Sequence, residues 1–496
     1  MPSDPAVREL AARYLLRAEE APEADAIVYA RAPFEGHRLT WADIAERSDR
    51  LLRGYRTLGM GEGARCALTL ADHLDMIPAL LALWRLDATA VLIDPAWGDR
   101  LRANVVEHSG ANFALDMAGA AEPVRLNGAA GFAAPLPKGT AMLGYTSGST
   151  GDPKGIPFTH SKLALTMHYS AAACTYRYGA RPRRIGCNAR LSGSGVLNLN
   201  YTWAPFSDAA TVVLPELTLA TARNYWRAVE EFGVEQAYLF PAQVEMVNQV
   251  ALPRSPGGTA PLCLTGSAPV SARLQGRFAE RFGLPLVNCF GISEAMCTIF
   301  FGHLDPNGDA TTDIGVPWLL QARLVGENGE VVAGAGEGEL QLSGPTLLDY
   351  YYNNEQATAQ AYDGRWFRTG DIVRRDGAGV YRIAGRRKHV VMKGGFSIYL
   401  NEVEEAALAV PGVLEAAAVP LLTHDLEDLG LLVRLGTDSA TTTTEVHAAL
   451  RASLGVQRAP GRVVRVTEPL PRTGPEKLDR RGCEQRWESE TTVGAR

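Results

Sequence analysis

Short apolar runs that suit strands alternate with runs of helical spacing over more than half of this chain. Residues 65–70 read as a strand, 77–86 as a helix, and 90–93 as a buried strand that ends in Asp94-Pro95. Strand, helix, strand in that order needs a crossover, so the strands pair in parallel. The alternation returns at 211–214, 219–232, 236–240, 261–265, 272–282 and 286–290. It predicts a large α/β body of stacked sheets. Ahead of it, residues 40–60 predict a helix marked at both ends. Thr40 and Asp43 form a capping-box pattern, Trp41, Ile44, Leu52 and Tyr55 follow helical spacing, and Gly59 closes the end.

Beyond residue 310 the texture changes to short strands separated by glycines, at 322–325, 339–343 and 380–383. These predict a small β-rich subdomain over about 310–386. From 387 to 496 the pattern of strand, helix (402–409), strand, helix (444–454) and strand (461–466) predicts a separate, smaller α+β domain. The last dozen residues are expected to be loose. With 496 residues the chain is too long for one simple core.

Composition narrows the function classes. A net charge of −6 gives no reason to expect nucleic acid or an anionic membrane as partner. No apolar run approaches the roughly 20 residues that span a bilayer, and the acidic, polar start MPSDPAVREL lacks a signal-peptide core. Seven cysteines without a CxxC read as free thiols in a reducing cytosol, so a cytoplasmic location is expected, with no zinc site or disulfide frame. Lysine is scarce: Lys138, Lys154, Lys162, Lys388, Lys393 and Lys477 are the only six, against 43 arginines. Each remaining lysine is therefore informative.

The strongest motif is Tyr145-Thr-Ser-Gly-Ser-Thr-Gly-Asp-Pro-Lys-Gly155. Glycines let backbone approach phosphates, while the hydroxyls, amides and lysine supply donors. The spacing GxxxxGK[ST] of the usual P-loop is not met, because Pro153 precedes Lys154 and Gly155 follows it. A flexible loop of small polar residues is the bland alternative, but such loops are rarely so dense in phosphate donors.

This loop resembles the phosphate-binding signature of the acyl-adenylate-forming superfamily, which includes acyl-CoA synthetases, peptide-synthetase adenylation domains and luciferase-like enzymes. Four further signatures follow in family order. They are Phe290-Gly-Ile-Ser-Glu294, Trp366-Phe-Arg-Thr-Gly-Asp371, Gly385-Arg-Arg-Lys388 and Pro471-Arg-Thr-Gly-Pro-Glu-Lys477. The resemblance covers about residues 25–485. It implies ATP and Mg²⁺ as cofactors, with adenylation of an acid followed by transfer to a second nucleophile. It assigns the triphosphate to Thr146, Ser147, Gly148, Ser149, Thr150, Gly151 and Lys154. It assigns adenine and its surroundings to Gly266, Ser267, Ala268, Asn288, Phe290, Gly291, Ser293 and Ile383. Asp371 accepts from the ribose hydroxyls, and Arg386 reaches ribose or phosphate. Glu294, a hard oxygen ligand, takes the metal. Lys388 is the hinge of a mobile C-terminal domain, and Gly394 and Gly395 flank an acceptor tunnel. Lys477, with Glu294 and Thr146, forms the catalytic set: its ammonium bridges the two anions that adenylation must bring together.

The acid pocket departs from the family. Ser192 stands where the family has a histidine, in Gly186-Cys-Asn-Ala-Arg-Leu-Ser-Gly-Ser-Gly195. Ser192, Gly193, Gly195, Asn198, Gly266 and Gly291 are the candidate pocket residues. Asn188, Arg190 and Asn200 add, with Asn198, to an impression of polarity, although strand alternation would turn some of these residues outward. Between Pro153 and Ser207 there is no Asp or Glu, which disfavours an α-amino acid. A small polar or aryl acid is expected. The thiol of CoA is the first acceptor to consider, with a carrier-protein thiol, a free amine, or activation of an unusual acid such as nitrite as alternatives. A silent nucleotide-binding scaffold is the non-enzyme reading. It is expected to lack Lys477, Glu294 or Asp371, and all three are present. Two further departures are Glu476 in place of glycine and Leu400 in place of proline.

Overall fold

The computed structural model describes residues 9–118, 122–126, 134–146, 154–179, 181–255, 257–258, 260–268, 270–304, 312–393, 396–423, 426–436, 439–473 and 477–493. The chain forms two compact units. The first runs up to Ser267 and adds Leu274–Ala322 and Leu342–Phe367; the second comprises Ala268–Arg273, Arg323–Gln341 and Arg368 onward. The β-rich stretch is thus shared between the units, and the expected boundary at residue 386 falls inside the second.

In the first unit, one sheet has the order Pro123–Arg125, Phe113–Asp116, Arg65–Thr69, Thr89–Ile93, Thr140–Thr146, Lys154–Thr159. Arg65–Thr69 pairs in parallel with Thr89–Ile93, as the strand–helix–strand pattern requires. Met76–Trp84 is the crossover helix, and every one of its residues is buried. A second run of strands has the order Arg38–Thr40, Asp25–Tyr29, Ala210–Val213, Arg184–Cys187, Gln236–Leu239, Leu262–Gly266, Leu286–Ile292, Cys297–Phe301, Asp313–Pro317. The four strands from Arg184–Cys187 to Leu286–Ile292 are mutually parallel. Helices Tyr225–Glu231, Pro241–Val250 and Ala272–Phe282 cover this run through Trp226, Val229, Val244, Val247 and Phe278, all buried.

The helix Trp41–Thr57 starts as the sequence predicts. The Thr40 hydroxyl accepts from the Asp43 amide, and the Asp43 carboxylate accepts from the Thr40 amide. The helix predicted over 219–232 is instead two pieces, Leu219–Ala222 and Tyr225–Glu231. Thr218 and Thr221 close a tight capping box on the first piece, and the Asn224 amide then turns back to Thr221 O. Residues 194–206 are helical, not strand-like. They pass through an α turn, a π-helix at Leu197–Thr202 and a 3₁₀ turn at Ala204–Phe206.

In the second unit, Val413–Thr423, Leu426–Leu435 and Arg462–Val466 form a three-stranded sheet. Alternation along Leu426–Leu435 sends Leu431 and Val433 to one face and Leu432 to the other. The first face packs on Val403 and Ala407 of helix Leu400–Leu408 and on Val446 and Leu450 of helix Thr443–Leu454. The second face meets Cys483 and Trp487. Those two residues belong to the helix Arg480–Val493, which corrects the expectation of a loose end as far as Val493; residues 494–496 lie outside the described residues. Trp487, 7% exposed, packs its ring in one cluster with Val419 and Leu432 and so ties the helix to the sheet.

Candidate active site

Ligands of open α/β sheets bind beyond the carboxyl ends of parallel strands. In the first unit, four such ends present 188–193, Phe240, Gly266 with Ser267, and Gly291 to Glu294. Ser192, Gly193, Gly266, Ser267, Gly291, Ser293 and Glu294 lie on these ends, whereas the strands flanking the phosphate-type loop belong to the other sheet.

Gly266 and Gly291 are required by close approach. A Cβ on Gly266 would sit 2.2 Å from Cys289 O and 2.7 Å from the Tyr238 hydroxyl. A Cβ on Gly291 would sit 2.4 Å from Cys297 O. Ser267, at φ +69, holds a conformation that costs a non-glycine residue energy, and such strain gathers at ligand sites. Its hydroxyl lies 3.4 Å from that of Tyr238. Ala268 follows, half-buried. Asn288 is buried, and its amide donates to Thr312 O at 3.2 Å. Phe290 stands edge-on to Phe300, with centroids 5.6 Å apart, and remains half-exposed on its other side. Ser293 opens the 3₁₀ turn that carries Glu294.

The phosphate-type loop begins and ends on paired strands, where Thr146 and Lys154 are cross-strand partners. Ser147, Gly148, Ser149, Thr150 and Gly151 lie outside the described residues, as does the Thr146 side chain. At the loop's far end the Lys154 ammonium lies 4.7 Å from the centroid of the Tyr351 ring. The Tyr351 hydroxyl donates to Oε1 of Glu294 at 2.8 Å. Backbone bonds reinforce this junction: Leu348 N donates to Glu294 O, and Tyr352 N to Gly155 O. Tyr351 is absent from the sequence-derived set, and only its place in the run Tyr350-Tyr351-Tyr352 could have drawn attention to it.

At the acid-pocket segment, Ser192 and Gly193 are half-buried and Gly195 exposed. A Cβ added at Gly193 or Gly195 would meet nothing within 4 Å. The asparagines are turned to internal use. Asn198 donates to Met296 O at 3.0 Å and accepts from the Thr202 hydroxyl, which ties the π-helix to the turn after Glu294. Asn188 donates to Gln243, whose Oε1 also accepts from Phe240 N. Asn200 donates back to Val196 O. One amide donor of each asparagine is thus bonded to a protein acceptor, while the carbonyl oxygens of Asn188 and Asn200 are buried without a hydrogen-bond partner among the described residues.

In the second unit, Asp371 and Arg386 are cross-strand partners on Trp366–Arg375 and Tyr381–Arg386. Arg386 Nε donates to Asp371 Oδ1 at 2.7 Å, with the Asp371 side chain only 4% exposed. The two residues nominated for ribose and phosphate therefore form one charged unit. Ile383, half-buried, sits on the same strand opposite Val373. Lys388 is exposed in the 3₁₀ turn Arg387–His389 between two strands. Burial, with Arg480, Lys388 and Arg386 nearby, pushes the His389 imidazole down to about 4, so it is neutral at pH 7. Gly394 and Gly395 lie outside the described residues, as does the Lys477 side chain; the Lys477 backbone pairs with Thr473. Asp371→Ala is expected to weaken ATP binding by roughly 1.5–3 kcal/mol, the worth of a hydrogen bond to a charged group. An unchanged ATP dissociation constant in calorimetry would put Asp371 outside the nucleotide site.

A family model described as AMP-binding enzyme matches residues 16–130 and 118–352. The chain belongs to the AMP-binding enzyme family. This is the acyl-adenylate-forming superfamily that its motifs resemble, and the chain is an acid-activating, AMP-forming ligase. Among AMP-binding relatives, it is 28% identical over 445 residues to a sulfoacetate–CoA ligase of Cupriavidus necator, covering 83% of this chain and 84% of that protein. It is also 28% identical over 492 residues to a feruloyl-CoA synthase of Amycolatopsis, covering 93% and 96%. Its fold matches the crystal structure of the anthranilate CoA ligase AuaEII in complex with anthranoyl-AMP, with a TM-score of 0.82, 19% identity and 98% of each chain covered. Among the described residues, no helix of this AMP-binding enzyme is long and apolar enough to cross a membrane.

Proposed function

We propose that this enzyme adenylates a small polar or aryl carboxylic acid with MgATP and then transfers the acyl group to the thiol of CoA. The observation that carries the first step is the junction at Tyr351, where the lysine that ends the phosphate-type loop and the carboxylate of Glu294 meet through one side chain. Magnesium takes oxygen ligands and is held by one or two carboxylates together with substrate phosphates. Glu294 supplies one half-buried carboxylate, and among the described residues no cluster of three or more His, Cys, Asp or Glu offers an all-protein cage. The residues present therefore fit a cation shared with a triphosphate. That cation supplies positive charge on the phosphate oxygens.

The protein groups make no covalent bond in adenylation. They position the acid and the α-phosphate and offset their repulsion. Lys154 draws in the triphosphate, Asp371 with Arg386 holds the ribose, and Lys477 neutralises charge as the carboxylate attacks. An acid without an α-amino group is supported by the missing acidic clamp between Pro153 and Ser207, and the space beside Gly193 and Gly195 leaves room for it. The sulfoacetate- and ferulate-activating relatives bracket the same range, one small and polar, the other aryl. Both are named for CoA products, which supports CoA over an amine or a carrier protein as acceptor.

Acid-dependent pyrophosphate release over a panel of short aliphatic, sulfonated and aryl acids tests the reading, with CoA, amines and carrier protein added afterwards. Release with none of the acids would overturn it. If Ser192 lines the pocket, Ser192→Phe is expected to reject the native acid while ATP still binds, since overpacking costs about 1–3 kcal/mol even in relaxed cores. An identical acid profile would mean that Ser192 faces elsewhere.

A further inference from the structure

We infer that Tyr351 is a positioning residue, which locks the carboxylate of Glu294 and the ammonium of Lys154 into a single arrangement ready for a metal-bound triphosphate. This rests on the adenylation reading and assigns a role to a residue outside the five motifs quoted above.

Glu294 and Lys154 are 140 positions apart in sequence, and neither contacts the other directly among the bonds and ion pairs of the described residues. Both touch Tyr351. Its hydroxyl donates to Glu294 Oε1 at 2.8 Å, and Oε2 accepts no side-chain hydrogen bond among the described residues. One carboxylate oxygen is thus held by the phenol and the other is available. The ring face carries the Lys154 ammonium at 4.7 Å, a geometry in which the ring quadrupole attracts a cation.

The segment that presents Tyr351 is itself anchored on both sides. Lys162 donates to Leu347 O at 2.6 Å and pairs with Asp349 at 2.7 Å. Tyr351 N donates to the Thr358 hydroxyl, and the Tyr362 hydroxyl donates to Leu348 O. Tyr352 N is bonded to Gly155 O, and Leu348 N to Glu294 O. Two of the six lysines, Lys154 and Lys162, are therefore committed to this one strap. A carboxylate fixed in this way meets a cation without reorganising, which is the usual work of hydrogen bonds behind a metal ligand.

ATP binding to the full-length protein, measured by calorimetry with Mg²⁺ and again with EDTA, separates this role from a structural one. Tyr351→Phe keeps the ring and removes only the hydroxyl. It is expected to weaken MgATP binding about tenfold, within the range for losing a partner behind a metal ligand, and to leave metal-free ATP unchanged. The half-saturating Mg²⁺ concentration for pyrophosphate release should rise in step. Tyr351→Leu removes the ring as well, so metal-free ATP should also weaken. In a Glu294→Gln background, Tyr351→Phe should add nothing. Wild-type MgATP affinity in the Phe variant would overturn the inference, as would equal loss with and without metal or a further tenfold loss in the Glu294→Gln background. Binding needs no acid, so these outcomes stand apart from the acid panel, whose failure would remove the adenylation reading itself.

Discussion

Lys477→Ala is expected to abolish acid-dependent pyrophosphate release while leaving much of the acyl transfer from preformed acyl-AMP. The two half-reactions ask different things of a positive charge. In the first, a carboxylate approaches an α-phosphate, and two anions must be held together as negative charge gathers between them. Removing one positioned donor or cation from such a transition state costs roughly 10²–10³-fold in rate. In the second, a thiol attacks an acyl carbon whose carboxylate charge is already gone, so no second anion needs neutralising. Rates of both half-reactions, measured on the variant with synthetic acyl-AMP supplied for the second, decide the matter. Equal loss in both would remove the role given to Lys477 and leave it a loop lysine. Glu476, the preceding residue in sequence, brings a carboxylate to a position where the resemblance implies glycine.

Arg480→Met is expected to destabilise the C-terminal part of the second unit by about 3–5 kcal/mol, the cost of breaking a buried ion pair by removing one partner. Arg480 makes a two-pronged contact with Glu404, through Nη1 to Oε1 and through Nη2 to Oε2 at 2.9 Å. Glu404 is 9% exposed at its side chain and also accepts from the Ala418 amide at 2.8 Å. With Arg480 gone, the carboxylate would be left buried with a single amide donor. The pair joins helix Leu400–Leu408 to helix Arg480–Val493 across the sheet strand Val413–Thr423. Hydrogen exchange over these three elements should show the loss, and adding Glu404→Gln to Arg480→Met should recover most of it. Unchanged exchange would mean that Trp487 and Cys483 hold the last helix without help from the ion pair.

Much of the architecture was legible because it follows from local rules. The capping box at Thr40 and Asp43, the buried helix at Met76–Trp84 and the parallel strand–helix–strand order rest on neighbouring residues alone. Motif glycines were equally readable. Gly266 and Gly291 must be glycine because backbone carbonyls of adjacent strands lie where a side chain would begin. The family signatures named Glu294, Asp371, Arg386 and Lys477 because each keeps a fixed place relative to its own turn.

What failed to show in the sequence depends on partners far along the chain. The segment 188–200 looked like a polar strand lining a pocket. It is instead partly π-helical, with Asn198 turned to Met296 and Asn188 to Gln243, because buried amides must find acceptors and those acceptors lie 98 and 55 residues away. The last dozen residues were expected to be loose because chain ends usually are unless something ties them down. Trp487 and the Arg480–Glu404 pair bind the last helix to a sheet that the local pattern does not contain. The sequence by itself determined the α/β plan and the adenylating family, since both are written in local spacing and contiguous motifs. Only the tertiary structure decided that Asp371 and Arg386 act as one charged pair and that Tyr351 joins Lys154 to Glu294. Those contacts form when strands and turns distant in sequence pack side by side, and no local pattern encodes which residues will then face each other.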